Sequence, residues 1–440
     1  VTDLLEAPTP AAAPGTYPVP AGRGRWRVTL HRRTYADAAP ASTVIAELSE
    51  GRNRKLVRAY NAPAVFTFDL DGWRPAARYI AELGTEVVAW RWDDTAGADV
   101  AYFRGPVVAS ADAIDEQSHT LSVTATDYLG ILARRIFTTV TAAATTADQD
   151  VCAADIVNAG RNVSSSSGTA LSGSYLPLSY TGATGGWVVP VNPDGSARAL
   201  SGTSRTMTWQ GNSVCLTMLG DLAKLAGGFD YDVAPFTSLV EAGQSPGTVD
   251  ALRIFFPAQG VTRTSPALYY PGNVTALTRQ VASADYSNYW RTLGNNQNTA
   301  QNAAQLYGEA WTADALGAQA SAPGLWMGSD QSPDQAPSGP LLTQEAQGQL
   351  NIYSVLMPTY TLTLAPGFYY DKAFAMGDTL PLIVQSGRLN VNTALRVMGV
   401  TFETTDDGTE LVTLTVGRAP TTLVDILGAQ AADIRALSRR

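Results

Sequence analysis

Between Thr85 and Arg135 the chain alternates apolar and polar residues with a period of two and then switches to a capped helical pattern. Such alternation commits a segment to strands with one face buried, because successive side chains point to opposite sides of a sheet. Val88, Trp90 and Trp92 share one face of the first run, Tyr102-Phe103-Arg104-Gly105-Pro106-Val107-Val108 forms the second, and in the third Leu121, Val123 and Ala125 alternate with Ser122, Thr124 and Thr126. Asp127 stands where an N-cap belongs. Tyr128, Leu129, Ile131 and Leu132 then give an apolar helical face, and Arg134 and Arg135 close the last turn, where cations suit the helix dipole. The segment reads as a sheet ending in a short docked helix, an assembly part with nothing that resembles a catalytic site.

A chain of 440 residues exceeds one ordinary core, so at least two domains are expected. Only 16% of residues are charged against 45% apolar, and 39 Gly and 25 Pro favour strands and turns over long helices. The fold class expected is mainly β with α insertions. A net charge of -9 argues against a protein that wraps nucleic acid, because phosphate binding needs clustered cations. All basic residues but Lys55, Lys224 and Lys372 are Arg, a bias with no functional weight. Cys152 and Cys215 are too few for a disulfide scaffold or zinc site and are expected to be reduced and packed. No run of 18 apolar residues occurs, and the Pro/Ala-rich start lacks the basic and apolar parts of a signal peptide, so a soluble chain without a membrane span is expected.

Composition divides the chain into five stretches. Residues 1–25 form a Pro/Ala-rich arm; 26–135 carry strands, with a helix expected at about Arg74–Leu83; 136–250 read as an inserted, loop-rich subdomain with helices near Val151–Asn158 and Ser213–Ala226. Strands return over 251–420, broken by long loops at Asn295–Gln305 and Ser329–Pro340, with a helical turn or two at Thr343–Leu350. There Tyr360, Leu362 and Leu364 alternate with threonines, and Asp406-Asp407-Gly408 marks a hairpin. Residues 421–440 form an amphipathic helix candidate, with Thr422 and Asp425 spaced as a capping box. It packs on its own domain or docks a partner. Arg104-Gly105-Pro106-Val107-Val108, an acidic turn and Leu121–Thr126 parallel Arg396-Val397-Met398-Gly399-Val400, an acidic turn and Leu411–Val416, a quasi-repeat that any two β-meanders could also produce.

Chemistry-bearing motifs are scarce. His31 lies in a strand and His119 beside a turn, and no H-E-x-x-H, P-loop, G-x-S-x-G or C-x-x-C occurs. The acidic pairs Asp69/Asp71, Asp93/Asp94 and Asp406/Asp407 sit at strand ends, where Asp serves turns; Asp69-Leu70-Asp71-Gly72 echoes the start of a calcium loop without its later ligands. No catalytic residue, cofactor or metal is expected. The nine Trp and eighteen Tyr could line a sugar groove, although the pair Trp90 and Trp92 more simply covers one strand face in a core or interface.

Thr85–Arg135, with Phe103-Arg104-Gly105 and Asp127-Tyr128-Leu129-Gly130-Ile131-Leu132-Ala133-Arg134-Arg135, and Phe374-Ala375-Met376-Gly377-Asp378-Thr379-Leu380 followed by Arg396–Val400, resemble the baseplate or tail-tip hub (minor tail protein) family of long-tailed, siphovirus-type phages. The resemblance covers about half of the chain, in the first and last domains. It implies two related β-barrel-like domains, here 26–135 and 251–420, and a homotrimer forming a pseudo-sixfold ring. It also implies partners: a distal tail protein ring, the tape measure protein, and tail fibre or spike subunits, with DNA only in transit. The location implied is the virion tail tip, after assembly in the host bacterial cytoplasm. On this reading Tyr128, Arg134, Arg135, Gly377 and Asp378 are assembly-interface residues. Several hubs carry a C-terminal peptidase, lysozyme or fibre-binding extension, whereas here only 421–440 follows the last expected strand, so such activities are not carried over. The alternative is a carbohydrate-binding or cell-wall-degrading tail protein acting on the host surface.

Overall fold

A computed structural model describes residues 26–33, 42–48, 51–93, 98–137, 145–161, 176, 189–196, 204–207, 213–224, 228–235, 250–281, 286–294, 306–316, 324–332, 339–354, 358–365, 373–404 and 409–417. The N-terminal arm, the Asp406-Asp407-Gly408 turn and the 421–440 helix candidate lie outside them. Contacts divide the chain into a larger unit, residues 1–277 with 361–440, and a smaller one, residues 278–360.

The larger unit begins with β1 (Trp26–Arg33), β2 (Ser42–Leu48), β3 (Arg52–Ala59), β4 (Val65–Asp71), β5 (Thr85–Asp93), β6 (Ala98–Ile114), β7 (His119–Thr126) and the helix α1 (Tyr128–Leu132). There follow β8 (Thr145–Asp148), α2 (Gln149–Arg161), β9 (Val189–Val191), β10 (Ser204–Met207), α3 (Cys215–Lys224), β11 (Asp230–Ala234) and β12 (Ala251–Phe255), then β13 (Leu268–Tyr270) and β14 (Val274–Gln280). The smaller unit holds β15 (Tyr289–Leu293), β16 (Tyr307–Trp311), β17 (Met327–Gln331) and α4 (Gly339–Tyr353). The chain ends its described part with β18 (Thr359–Leu364), β19 (Thr379–Ser386), β20 (Leu389–Thr404) and β21 (Glu410–Val416).

The fold is mostly β, built on one large sheet in the order β14-β18-β21-β20-β3-β4-β7-β6-β5-β1-β2, with β19 beside β20 and β13 beside β19. Two of its strands are long and bent. β6 pairs with β5 over its first half and with β7 over its second, and the register shifts between Val107 and Ala109. β20 pairs first with β19, then with β21 and β3, and shifts between Val397 and Gly399. A bulge of this kind bends its strand and lets it serve two layers.

Each bend is pinned in the same way. Leu83, at φ 62, donates its N–H to the Val107 carbonyl at 2.7 Å; Gly377, at φ 90, does the same to Val397 at 2.9 Å. The two meanders β5-β6-β7 and β19-β20-β21 therefore match with Val107 opposite Val397. This differs from the alignment of Arg104 with Arg396 suggested by sequence, since Arg104 precedes its bend by three residues and Arg396 by one. The strands repeat, but their arginines are offset by two positions and point to the same side by parity.

The sheet curls so that distant strands meet. The Trp26 ring of β1 lies 5.6 Å from Phe402 of β20, and its indole N–H donates to Glu410 of β21 at 2.7 Å. Arg54 of β3 donates to the carbonyls of Trp26 and Leu48, joining β3 to β1 and to the end of β2. In the other half, β13 and β14 stand at opposite ends of the row β14-β18-β21-β20-β19-β13, yet they are consecutive in the chain and separated only by Pro271, Gly272 and Asn273.

α2 and α3 pack their apolar faces together through Cys152, Ile156, Leu216, Leu219 and Leu222, with α1 adding Leu129 and Leu132. β11 and β12 close this cluster through Tyr231, Leu252 and Ile254. Both cysteines are buried and neither is in a disulfide, and burial pushes the Cys215 thiol up to about 11. β12, which begins the last stretch in the sequence reading, is hydrogen-bonded to β11 and β9 and so shares a sheet with the insertion. The helix expected at Arg74–Leu83 is a single 3-10 segment, Pro75–Tyr79, stopped before Leu83 enters the left-handed region. The turn expected at Thr343–Leu350 is instead the 15-residue helix α4. Its Gly339-Pro340 start and polar middle conceal the apolar stripe of Leu342, Ala346 and Leu350.

Candidate assembly interface

The residues singled out by sequence lie at two corners of the larger unit. At the first, Asp127 follows β7 and caps α1, accepting from the N–H groups of Leu129 at 3.0 Å and Gly130 at 3.3 Å and also from Ala64 at 2.9 Å. Burial raises its pKa to about 7, against those three donors and the nearby Arg58. Gly105 is forced by close packing: a Cβ there would lie 1.8 Å from the Thr126 carbonyl oxygen. Gly130 meets the Thr126 hydroxyl in the same way, at 2.1 Å. The Phe103-Arg104-Gly105 and Asp127–Gly130 motifs are thus two sides of one backbone crossing.

Arg104 is the largest fully buried side chain among the described residues. Its Nε and Nη2 donate to Glu86 at 3.3 and 3.1 Å, and Nη1 donates to Asp250 at 3.2 Å. Burial opposes its charge, but Tyr128, Asp250 and Glu86 together hold its pKa above the ordinary value. Tyr128 is fully buried under this guanidinium and donates its hydroxyl to Glu86. His31, also buried, shares a 2.9 Å hydrogen bond with Thr29. Its pKa falls to about 4, first through burial and further through Arg104 and Arg27, with Glu86 opposing.

At the second corner Gly377 crosses Gly260 backbone to backbone; a Cβ on Gly260 would lie 2.0 Å from the Gly377 carbonyl carbon. Asp378 is buried and accepts from the N–H groups of Val261 at 2.8 Å and Ala375 at 3.0 Å, and it pairs with Arg263. Arg396 donates to the Gly377 carbonyl at 3.0 Å and the Gln259 carbonyl at 2.6 Å, and it pairs with Asp230. Burial disfavours its charge, and Asp230 overrides that, keeping its pKa raised.

The corners share one contributor. Asp250, at the head of β12, holds Arg104, and Asp230, at the head of β11, holds Arg396. One antiparallel pair therefore supplies a carboxylate to each half of the repeat. Neither carboxylate was found by reading the sequence, whose only signal was the alternation of Asp230 and Asp232 with Tyr231 and Val233.

Of the five expected interface residues, Tyr128, Gly377 and Asp378 are inside the corners and shape them. Arg134 is exposed and Arg135 half-buried, in the turn after α1. Together they line a cavity of about 250 Å³ with Leu83, Pro106, Val108, Thr126, Gly130 and Ile131. Leu83 stands 54% exposed at its rim. Among the described residues no group of three or more His, Cys, Asp or Glu could hold a metal, and no helix is long and apolar enough to cross a membrane.

No family model matches the sequence, and no curated protein matches it. Solved structures do. A 43 kDa tail protein of prophage MuSo2 from Shewanella oneidensis aligns over 89% of this chain and 98% of its own, at 12% identity and TM-score 0.52. The fold is that of tail proteins. A tail protein from Neisseria meningitidis MC58 aligns over 89% of this chain and 96% of its own, at 11% identity and TM-score 0.51. At such identities the tail-protein likeness concerns the fold, and it extends across nearly the whole length of each partner.

Proposed function

We propose that this chain is a structural, non-enzymatic phage tail protein that acts as a baseplate or tail-tip hub. Three copies form a ring that joins a sixfold tube to a threefold tip and helps close the DNA channel. The observation that carries this reading is the repeated bent-strand meander, β5-β6-β7 and β19-β20-β21, with equivalent pins at Leu83 and Gly377. Two similar parts per chain let three chains present six similar faces, and closed rings of identical chains are the usual way such symmetry is built. The tail-protein fold supports the same reading.

On this proposal the distal tail protein ring, the tape measure protein and fibre or spike subunits are the partners. The protein is then a virion component at the tail tip, assembled in the host bacterial cytoplasm, and the 26–135 and 251–420 stretches form its two barrel-like domains. Arg134 and Arg135, beside exposed Leu83, are the cations of the corner that a neighbour would cover. The negative charge suits a channel through which DNA passes without sticking. Imaging of intact particles with this chain labelled tests the proposal: three copies in one ring with pseudo-sixfold density on the tube side is the expected result. Six copies per ring, or a label away from the tail tip, overturns it.

A further inference from the structure

The smaller unit has a two-faced sheet. β15 lies between β16, antiparallel, and β17, parallel. On the inner face α4 packs closely, because Gly308 has no side chain: a Cβ there would lie 2.2 Å from the backbone of Leu342 and Thr343. Ala310, Ala346 and Leu350 fill the interface, and Tyr353 stacks flat on Trp290 at 4.7 Å.

Among the described residues no helix packs on the outer face of this sheet. Strand registration places Trp311, Tyr289 and Met327 in one row, Glu309, Arg291 and Ser329 in the next, and Tyr307, Leu293 and Gln331 in the third. Trp311, Tyr307 and Met327 are 50%, 51% and 60% exposed and share this one face, and such grouping of apolar surface marks binding faces. Tyr289 of the first row and Arg291 of the middle row both donate to Oε1 of Glu309. The guanidinium also lies over the Tyr307 ring at 4.6 Å. These bonds to Glu309 all end on one carboxylate oxygen, Oε1, and Arg291 reaches it through Nε and Nη2. Hydrogen bonds from Tyr289 and Arg291 hold the Glu309 carboxyl below its usual range, which keeps it ionised.

We propose that this outer face binds a short linear oligosaccharide, with a pyranose ring stacked on Trp311, a second against Tyr307, and hydroxyl groups between them hydrogen-bonded by Glu309 and Arg291. The two aromatic positions are four residues apart on one strand, a separation of about 13 Å that a short oligosaccharide spans. Aromatic rings offer apolar faces to the C–H side of a sugar, and a planar donor–acceptor pair suits neighbouring hydroxyls. A protein partner fits less well, because it would bury the charged pair at the centre of its contact, where charged residues are depleted and desolvation is costly. Nucleic acid fits less well again, since a carboxylate sits at the centre of the face.

The test uses the full chain. Cellotetraose, chitotetraose and maltotetraose are titrated at concentrations up to the millimolar range, with tryptophan fluorescence and calorimetry as readouts. Saturable binding of at least one is expected, weakened about tenfold or more in Trp311→Ala and in Glu309→Gln, with the thermal midpoint of Trp311→Ala unchanged because that side chain stands half exposed. Three results overturn the proposal: no saturable binding of any of the three sugars, binding that Trp311→Ala leaves intact, or a loss of self-association in Trp311→Ala without any sugar effect. Each of these is independent of ring stoichiometry in particles, so this inference and the hub reading can fail separately.

Discussion

At the scale of single residues, the corners depend on charges buried in pairs. Arg104 satisfies both Glu86 and Asp250, so Arg104→Met leaves two carboxylates confined without a cation. A loss of about 3–5 kcal/mol in urea unfolding is expected, the range for breaking one side of a buried pair. His31 makes the same region sensitive to acid. Its folded pKa, about 4, lies below the ordinary 6.5, so the folded state excludes a proton that the unfolded state accepts. The contribution is complete above about pH 6.5 and is lost as pH falls toward 4, amounting to about 3 kcal/mol at most. In His31→Gln, unfolding free energies measured across that window should fall less than in the parent by about this amount. These partnerships were not legible in the sequence. Arg104 reads as an ordinary strand arginine, because one of its acids lies 18 positions away and the other 146.

At the scale of elements, local pattern was informative where one sheet face is buried and silent where the backbone itself makes the contact. The alternation of Leu121, Val123 and Ala125 and of Tyr360, Leu362 and Leu364 is reproduced in the buried positions of β7 and β18. The cap at Asp127 was equally readable, since capping is local. In β5, by contrast, Thr85 to Ala89 are all buried, so its two faces are both covered and the one-sided reading of Val88, Trp90 and Trp92 understates the packing. The bends in β6 and β20 depend on pairing with two different neighbours, which no period reveals. Two glycines separate local from tertiary roles. Gly105→Ala forces the β6–α1 crossing apart and should destabilise by about 2 kcal/mol or more. Gly348→Ala, exposed within α4 with nothing within 4 Å, should stabilise by about 0.5–1 kcal/mol. Thermal unfolding of the two variants checks both signs.

At the scale of the whole molecule, β3 and β20 join the two halves of the repeat through backbone pairing from Lys55 opposite Glu403 to Ala59 opposite Gly399. Native-state hydrogen exchange should therefore show β3, β6 and β20 opening with a common free energy, and β15 to β17 with α4 as a second group. Different free energies for β3 and β20 would mean that the seam opens by itself. The expected pair of related barrels came from a resemblance, whereas this seam links residues more than three hundred positions apart and left no mark in the sequence. Its mechanical meaning is distinct from that of a linker. Tension applied lengthwise to antiparallel strands shears every rung of the ladder at once, so the joint resists pulling as a rivet row does and offers no swivel between its two sides.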